Sequence, residues 1–277
     1  MIKELIVQLI ISFKTFRRHR FWEKQAQIML NESQPQADVL PKLPSAKYII
    51  LIPHSDDEWI GNSTLISNKE YNVVLCNLNM SGDDDINNHA KRRKEMEQLA
   101  NLYNRKFITI NKNKSCALSK IIEIEKPDYI TVPSVYDWHS EHFEVMDILN
   151  AVDRDIMSDI SVVMYQVTVA MPTQLVTHIN KLDLDHWRKK WRIFKSIYKT
   201  QKGFPWYRLS RIELINGRQR QMFACEVFSL NTFESWKQLY VKHQPNKTMK
   251  TKIKENLNSI ILSITISNNL YEHNSNK

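Results

Sequence analysis

The chain has 277 residues, 42% of them apolar and 25% charged, the composition of a soluble globular protein long enough for one full domain with additions. Its 39 Lys and Arg against 30 Asp and Glu leave a formal charge of +9, which points to an acidic partner (nucleic acid, an anionic membrane or a phosphorylated substrate) without choosing among them. Cys76, Cys116 and Cys225 lie far apart and form no CxxC; this argues against a disulfide scaffold or a cysteine zinc cluster and fits a reducing, cytoplasmic setting.

Residues 1–32 read as an amphipathic, basic helix. Ile2, Leu5, Ile6, Leu9, Ile10, Phe13 and Phe16 recur at helical spacing, with Lys14, Arg17, Arg18 and Arg20 at the far end. The apolar run 5–13 is too short to span a bilayer, which takes about 20 residues. No small-residue cleavage site follows it, so a signal peptide is a poor fit. Such a helix suits an anionic membrane surface, the domain's own surface, or a second subunit. Residues 33–46, with three prolines, read as a linker.

A regular alternation then begins. Short β-forming runs at 47–53, 71–78, 107–110 and 129–133 alternate with helical periodicity at about 61–69, 88–103, 114–125 and 141–151. Further strands are expected at 161–168 and 222–228, and a long basic helix at about 183–200. Strands alternating with helices predict an open, doubly wound α/β domain over 47–232, its sheet mostly parallel and covered on both faces. Residues 233–277 read as a basic extension, with five lysines and no acid between Val241 and Lys254. The aromatic and basic residues of 186–202 read as a helix with its rings inward, not as a nucleic-acid site.

In an open α/β sheet, ligands sit beyond the carboxyl ends of the strands. Two charged motifs lie there: Pro53-His54-Ser55-Asp56-Asp57-Glu58 after the first strand, and Asp137-Trp138-His139-Ser140-Glu141-His142 after the fourth. Alone, an Asp-Asp-Glu is an ordinary helix start, and HxxH arises often by chance. Together at one sheet edge they form a cluster whose burial demands a compensating charge, and a divalent metal supplies it. Imidazole and carboxylate without thiolate suit catalytic zinc, although ferrous iron or cobalt accepts the same donors. Gly61 and Gly82, two of four glycines, are expected in the loops after the first and second strands, where backbone turns tightly or approaches a ligand.

The two motifs resemble the PIG-L/LmbE-like family of N-acetylglucosaminyl deacetylases. Weaker similarities are Met80-Ser81-Gly82-Asp83, Arg92-x-x-Glu95 and Glu226 before Phe228, so the resemblance covers about 47–230. It implies a Rossmann-like fold and a zinc ion on His54, Asp57 and His142. Asp56 would be the general base, His139 an imidazolium facing the substrate carbonyl, and Glu141 the carboxylate orienting His139. Arg92, Gly82 and Asp83 would meet the sugar. Ser55 and Ser140-Glu141 depart from the family's Pro and Pro-Asp, Asn62-Ser63 from its glycine pair, and Tyr198 from a histidine.

The expected function is hydrolysis of the N-acetyl group of an amino sugar, carried by a glycan, nucleotide sugar or glycolipid in surface polysaccharide or glycolipid synthesis. The expected location is cytoplasmic, with peripheral membrane contact through the first helix and the basic tail. The alternative is a non-catalytic glycan- or membrane-binding descendant of the fold. No nucleic-acid partner is expected, and the oligomeric state is not legible.

Overall fold

The computed structural model describes residues 2–32, 40–80, 86–201, 204–243 and 247–275. Its centre is a seven-stranded sheet in the order β3-β2-β1-β4-β5-β7-β6. The strands are β1 (Lys47–Ile52), β2 (Asn72–Asn77), β3 (Lys106–Thr109), β4 (Tyr129–Pro133), β5 (Ser161–Tyr165), β6 (His178–Leu182) and β7 (Ala224–Thr232). β1 to β5 pair in parallel, β7 runs antiparallel to both neighbours, and the doubly wound, mostly parallel expectation holds. β6 escapes sequence reading because HINKL mixes polar and apolar residues, as suits a sheet edge.

The chain winds outward from β1 through β2 to β3, then crosses back to β4 on the other flank of β1. The carboxyl ends of β1 and β4 therefore form the switch point, where a crevice opens because the flanking connections leave to opposite sides. Period-two burial splits the core between the faces. Ile49 and Leu51 enter one cluster with Val132, Met164 and Trp236. Tyr48, Ile50 and Ile52 enter the other with Trp59, Tyr165 and Phe228.

Ten α-helices clothe the sheet among the described residues. The four predicted between β1 and β5 are α2 (Asp57–Ser67), α3 (Ile86–Leu102), α4 (Lys114–Glu125) and α5 (Ser140–Asn150), and the basic helix is α6 (Leu184–Ile197). Gly61 lies inside α2 rather than in a loop; a Cβ there would stand 2.1 Å from the Tyr165 ring, so close approach is the reason for glycine. α2 kinks at Asn62, and the Ser63 and Thr64 amides turn to the Glu226 carboxylate at 2.9 and 3.0 Å. Sequence reading overlooked α7 (Trp206–Gln219), because the buried Arg208 interrupts its apolar stripe.

The flanking segments are packed. In α1 (Ile2–Glu32), Trp22 and Ala26 enter the core, and the Trp22 indole donates to the Asn258 carbonyl at 2.7 Å. Phe13 and Phe16, on the stripe expected to be the apolar face, are 60% and 56% exposed, so a different face of α1 seats on the body. Leu43, in the expected linker, is fully buried; residues 33–39 of that segment lie outside the described residues. The basic extension forms α8 (Phe233–His243), α9 (Lys247–Asn256) and α10 (Ile260–Ser275), and Phe233, Trp236 and Tyr240 of α8 complete the first core cluster. Residues 244–246 of the stretch between Val241 and Lys254 lie outside the described residues. No helix is long and apolar enough to cross a membrane among the described residues.

Candidate metal centre

β1 ends at Ile52 and delivers His54 to Asp57 at the mouth of the sheet; β4 ends at Pro133, and a short turn carries Asp137 to the first turn of α5. Asp57 begins α2, while Glu141 and His142 sit in the first turn of α5, so two helix N-termini converge on the crevice. Residues 88 positions apart in sequence thereby meet: His54 Nδ1 lies 3.2 Å from His142 Nε2. Asp57 Oδ2 is 3.0 Å from His54 Nδ1 and 3.1 Å from His142 Nε2.

This triangle tests the donor set. Around zinc with N and O ligands at about 2.0–2.1 Å, tetrahedral donors stand about 3.3 Å apart. Three donors at 3.0–3.2 Å are spaced to share one such ion. A wider trio, His54, His139 and His142, offers nitrogens within 4.8 Å of one another. The Asp57 triangle fits the closer spacing and includes an anionic donor, and His139 stands beside it.

Neighbouring groups hold the triangle. His142 Nδ1 lies 3.1 Å from Asp137 Oδ2. Asp137 in turn accepts from the Trp138 and His139 amides at 2.7 and 3.1 Å and from the Thr168 hydroxyl at 2.8 Å. A carboxylate behind a ligating imidazole fixes its orientation and raises its basicity. Sequence reading quoted Asp137 but assigned it no role; its place in Asp-x-His-x-acid-His was the available signal. Glu141 Oε2 bonds His54 Nε2 through a close contact, not His139, and the expected pairing is corrected accordingly. In the first turn of α5 its side chain reaches across the crevice to the facing ring.

The electrostatics follow from burial and pairing. Burial raises the Asp57 carboxyl, but His142 and His54 outweigh it and hold it well below the usual range. Burial lowers His142, yet the Asp137 and Asp57 carboxylates dominate and lift it well above its ordinary value; His54 is raised in the same way by Asp57 and Glu141. His139 moves the other way. Burial and the fields of His54 and His142 lower it.

Asp56 is fully enclosed, with φ 116° and ψ −31°. That backbone is rare outside glycine and costs on the order of 1–3 kcal/mol. Its Oδ2 has no hydrogen-bond partner. Burial, then the neighbouring Asp57 and Glu58 carboxylates, push its pKa well up.

The site opens into a pocket of about 530 Å³ lined by His54, Asp56, Asp57, Arg92, His139 and His142 among others. Arg92 of α3 is thus on the pocket wall. Glu95, one turn on, accepts from the Ser55 hydroxyl at 3.3 Å and the Thr200 hydroxyl at 2.6 Å, tying the His54 loop to the segment after α6. Gln201 reaches the pocket and donates to the Ser55 carbonyl at 2.9 Å. Tyr198 instead donates to Glu58 at 2.6 Å, inside the core. Gly82 and Asp83, expected to meet substrate, lie outside the described residues.

No family model and no curated protein matches the sequence. Solved structures do match the fold. N,N'-diacetylchitobiose deacetylase from Pyrococcus horikoshii is 20% identical, with 71% of this chain and 88% of that one covered and a TM-score of 0.55. The conserved protein TT1542 from Thermus thermophilus is 15% identical over 66% and 93%, with a TM-score of 0.53. Teicoplanin deacetylase Orf2, in a zinc-inhibited form, is 11% identical over 66% and 97%, with a TM-score of 0.51. The chain therefore has the mixed α/β fold of these solved structures, two of which are deacetylases.

Proposed function

We propose that this chain is a metal-dependent N-deacetylase that hydrolyses the acetamide of an amino sugar. The observation that carries the reading is the triangle of His54, Asp57 and His142 donors at 3.0–3.2 Å, with the unpartnered Asp56 carboxylate oxygen beside it. The fold shared with a chitobiose deacetylase supports an acetylated sugar as substrate. Zinc, or another divalent transition metal at these donors, supplies Lewis acidity that polarises the carbonyl and makes water acidic enough to attack near neutral pH.

The chain's own residues then divide the work. Asp56 takes a proton from the attacking water and returns it to the departing nitrogen, so that the C–N bond breaks to acetate and a free amine; general base catalysis of this kind contributes about 10²–10⁴-fold. His139, on the pocket wall, donates a hydrogen bond to the developing oxyanion. Glu141 orients His54, and Asp137 orients His142. Arg92 binds sugar hydroxyls. A nucleotide sugar, glycolipid or surface glycan is the proposed carrier of the acetamide.

The test is amine release from a panel of N-acetylglucosamine derivatives, before and after chelation. Zinc-restorable release is expected. A chain that binds zinc yet releases no amine from any member is instead the non-catalytic descendant.

A further inference from the structure

The metal pocket is not walled by the central α/β elements alone. Arg18 comes from α1 and Lys254 from α9, with Leu257 and Asn258 following α9. Arg92 of α3 and Arg208 of α7 complete a set of four cationic side chains on its lining. The two outer elements are held together: Trp22 donates to Asn258 O at 2.7 Å, and the Gln25 amide donates to Ser259 Oγ at 2.9 Å. Their cations are therefore presented by packed helices, not by loose arms.

The charges are unevenly placed. The acids of the lining, Asp56, Asp57 and Glu141, all belong to the two metal motifs, and Asp57 and Glu141 are already engaged with histidines. Arg208 is 1% exposed; among the described residues its hydrogen bonds go to the Leu257 and Thr168 carbonyls, its Nε has no hydrogen-bond partner, and the charge of Asp137 favours it from a distance. Burial pulls its pKa down to about 10, which leaves it charged at neutral pH. A buried guanidinium that no carboxylate hydrogen-bonds is costly, and an anion joining it would lower that cost. Arg18 and Lys254 are exposed and rest over the Trp22 and Trp138 rings, at 5.7 and 5.3 Å from the ring centroids. Those contacts leave their N–H groups available, and Lys254 above Trp138 stands next to the His139 motif.

We infer that α1 and α9 complete a phosphate subsite at the mouth of the pocket, and that the acetylated sugar taken there carries a phosphate ester. A guanidinium fork and an ammonium lining the same pocket match a dianion with several acceptor oxygens. The identity of the sugar rests on the deacetylase reading; the anion subsite rests only on the cations.

The experiment compares free N-acetylglucosamine, its 1-phosphate and its uridine diphosphate ester, by amine release and by calorimetric binding, in the full-length zinc-loaded protein and in R18Q/K254Q. K112Q/K120Q, which removes two exposed charges elsewhere, is the control for overall charge. Preference for the phosphorylated sugars is expected, with a fall of about tenfold or more in that preference in R18Q/K254Q and none in the control. The 1-phosphate and the diphosphate ester together tell whether a terminal phosphate or an internal diphosphate is held. Charge-dependent binding of the 1-phosphate without amine release would retain the subsite and overturn the deacetylase reading. Deacetylation of all three sugars without discrimination, or discrimination unmoved in R18Q/K254Q, would overturn the subsite.

Discussion

Two buried clusters of charge lie along α2, one at its start and one at its central kink, and they solve the same problem differently. At the kink, Lys190 donates to Ile60 O and Glu226 at 2.6 Å each and to Glu213 at 2.5 Å. Glu226 also accepts from Ser63 and Thr64, and Glu213 from the Trp191 indole at 2.8 Å. Every charge there is answered from within, and the network pins the α2 kink to β7 and α6. At the start of the helix, the two metal motifs leave the Asp56 Oδ2 and His139 Nδ1 atoms without partners, on the wall of an open pocket. The first cluster holds the fold together. The second is kept incomplete, and incompleteness is what allows a site to bind and react.

That contrast can be broken by exchanging charge for neutrality in each cluster. The largest effect is expected at Asp56→Asn, which preserves shape and removes the base: kcat for amine release should fall by about 10²–10⁴-fold, with zinc content and melting temperature close to wild type. Full activity in that variant would remove Asp56 from the mechanism. Lys190→Met should behave in the opposite sense. Stranding two buried acids costs about 3–5 kcal/mol, so the midpoint of urea unfolding should drop steeply while the folded fraction still binds zinc. An unchanged midpoint would mean that the network is not structural.

The smallest effect is a dependence on pH. Burial, only partly offset by Lys190, raises Glu213 from 4.5 to about 7. The folded state thus binds a proton that the unfolded state has already lost between those values. The contribution of Glu213 to stability is fullest below pH 4.5, declines as pH rises to about 7, and is flat above. Glu213→Gln should therefore gain stability relative to wild type on moving from pH 5 to pH 8. A difference between the two proteins that stays constant with pH would show that Glu213 titrates normally in the fold.

Much of the framework was readable in advance, for identifiable reasons. The strands Tyr129–Pro133 and Lys47–Ile52 announce themselves because buried parallel strands must be apolar on both faces, and α4 follows from uninterrupted periodicity over 114–125. The two motifs were legible because their residues are contiguous and their place after β1 and β4 follows from the winding rule. Glu141 was assigned to the wrong imidazole. Sequence neighbours in a helix's first turn point in different directions, and only the pairing of β1 with β4, which sets the two loops side by side, decides that Glu141 reaches His54. β6 and α7 were hidden by polar residues whose partners lie far along the chain, such as Asn180 with Leu43 and Arg208 with Leu257.

Local pattern along the chain was enough to give the alternation of strand and helix, the switch point, and the donor types brought to it, because periodicity and loop position are local properties. Which donors meet, that the His139 ring packs against those of His54 and His142, and that α1 and α9 wall the pocket with Arg18 and Lys254 were settled by the folded arrangement. Those outcomes depend on fields and contacts between segments tens to hundreds of residues apart, and the spacing of residues along a chain does not encode them.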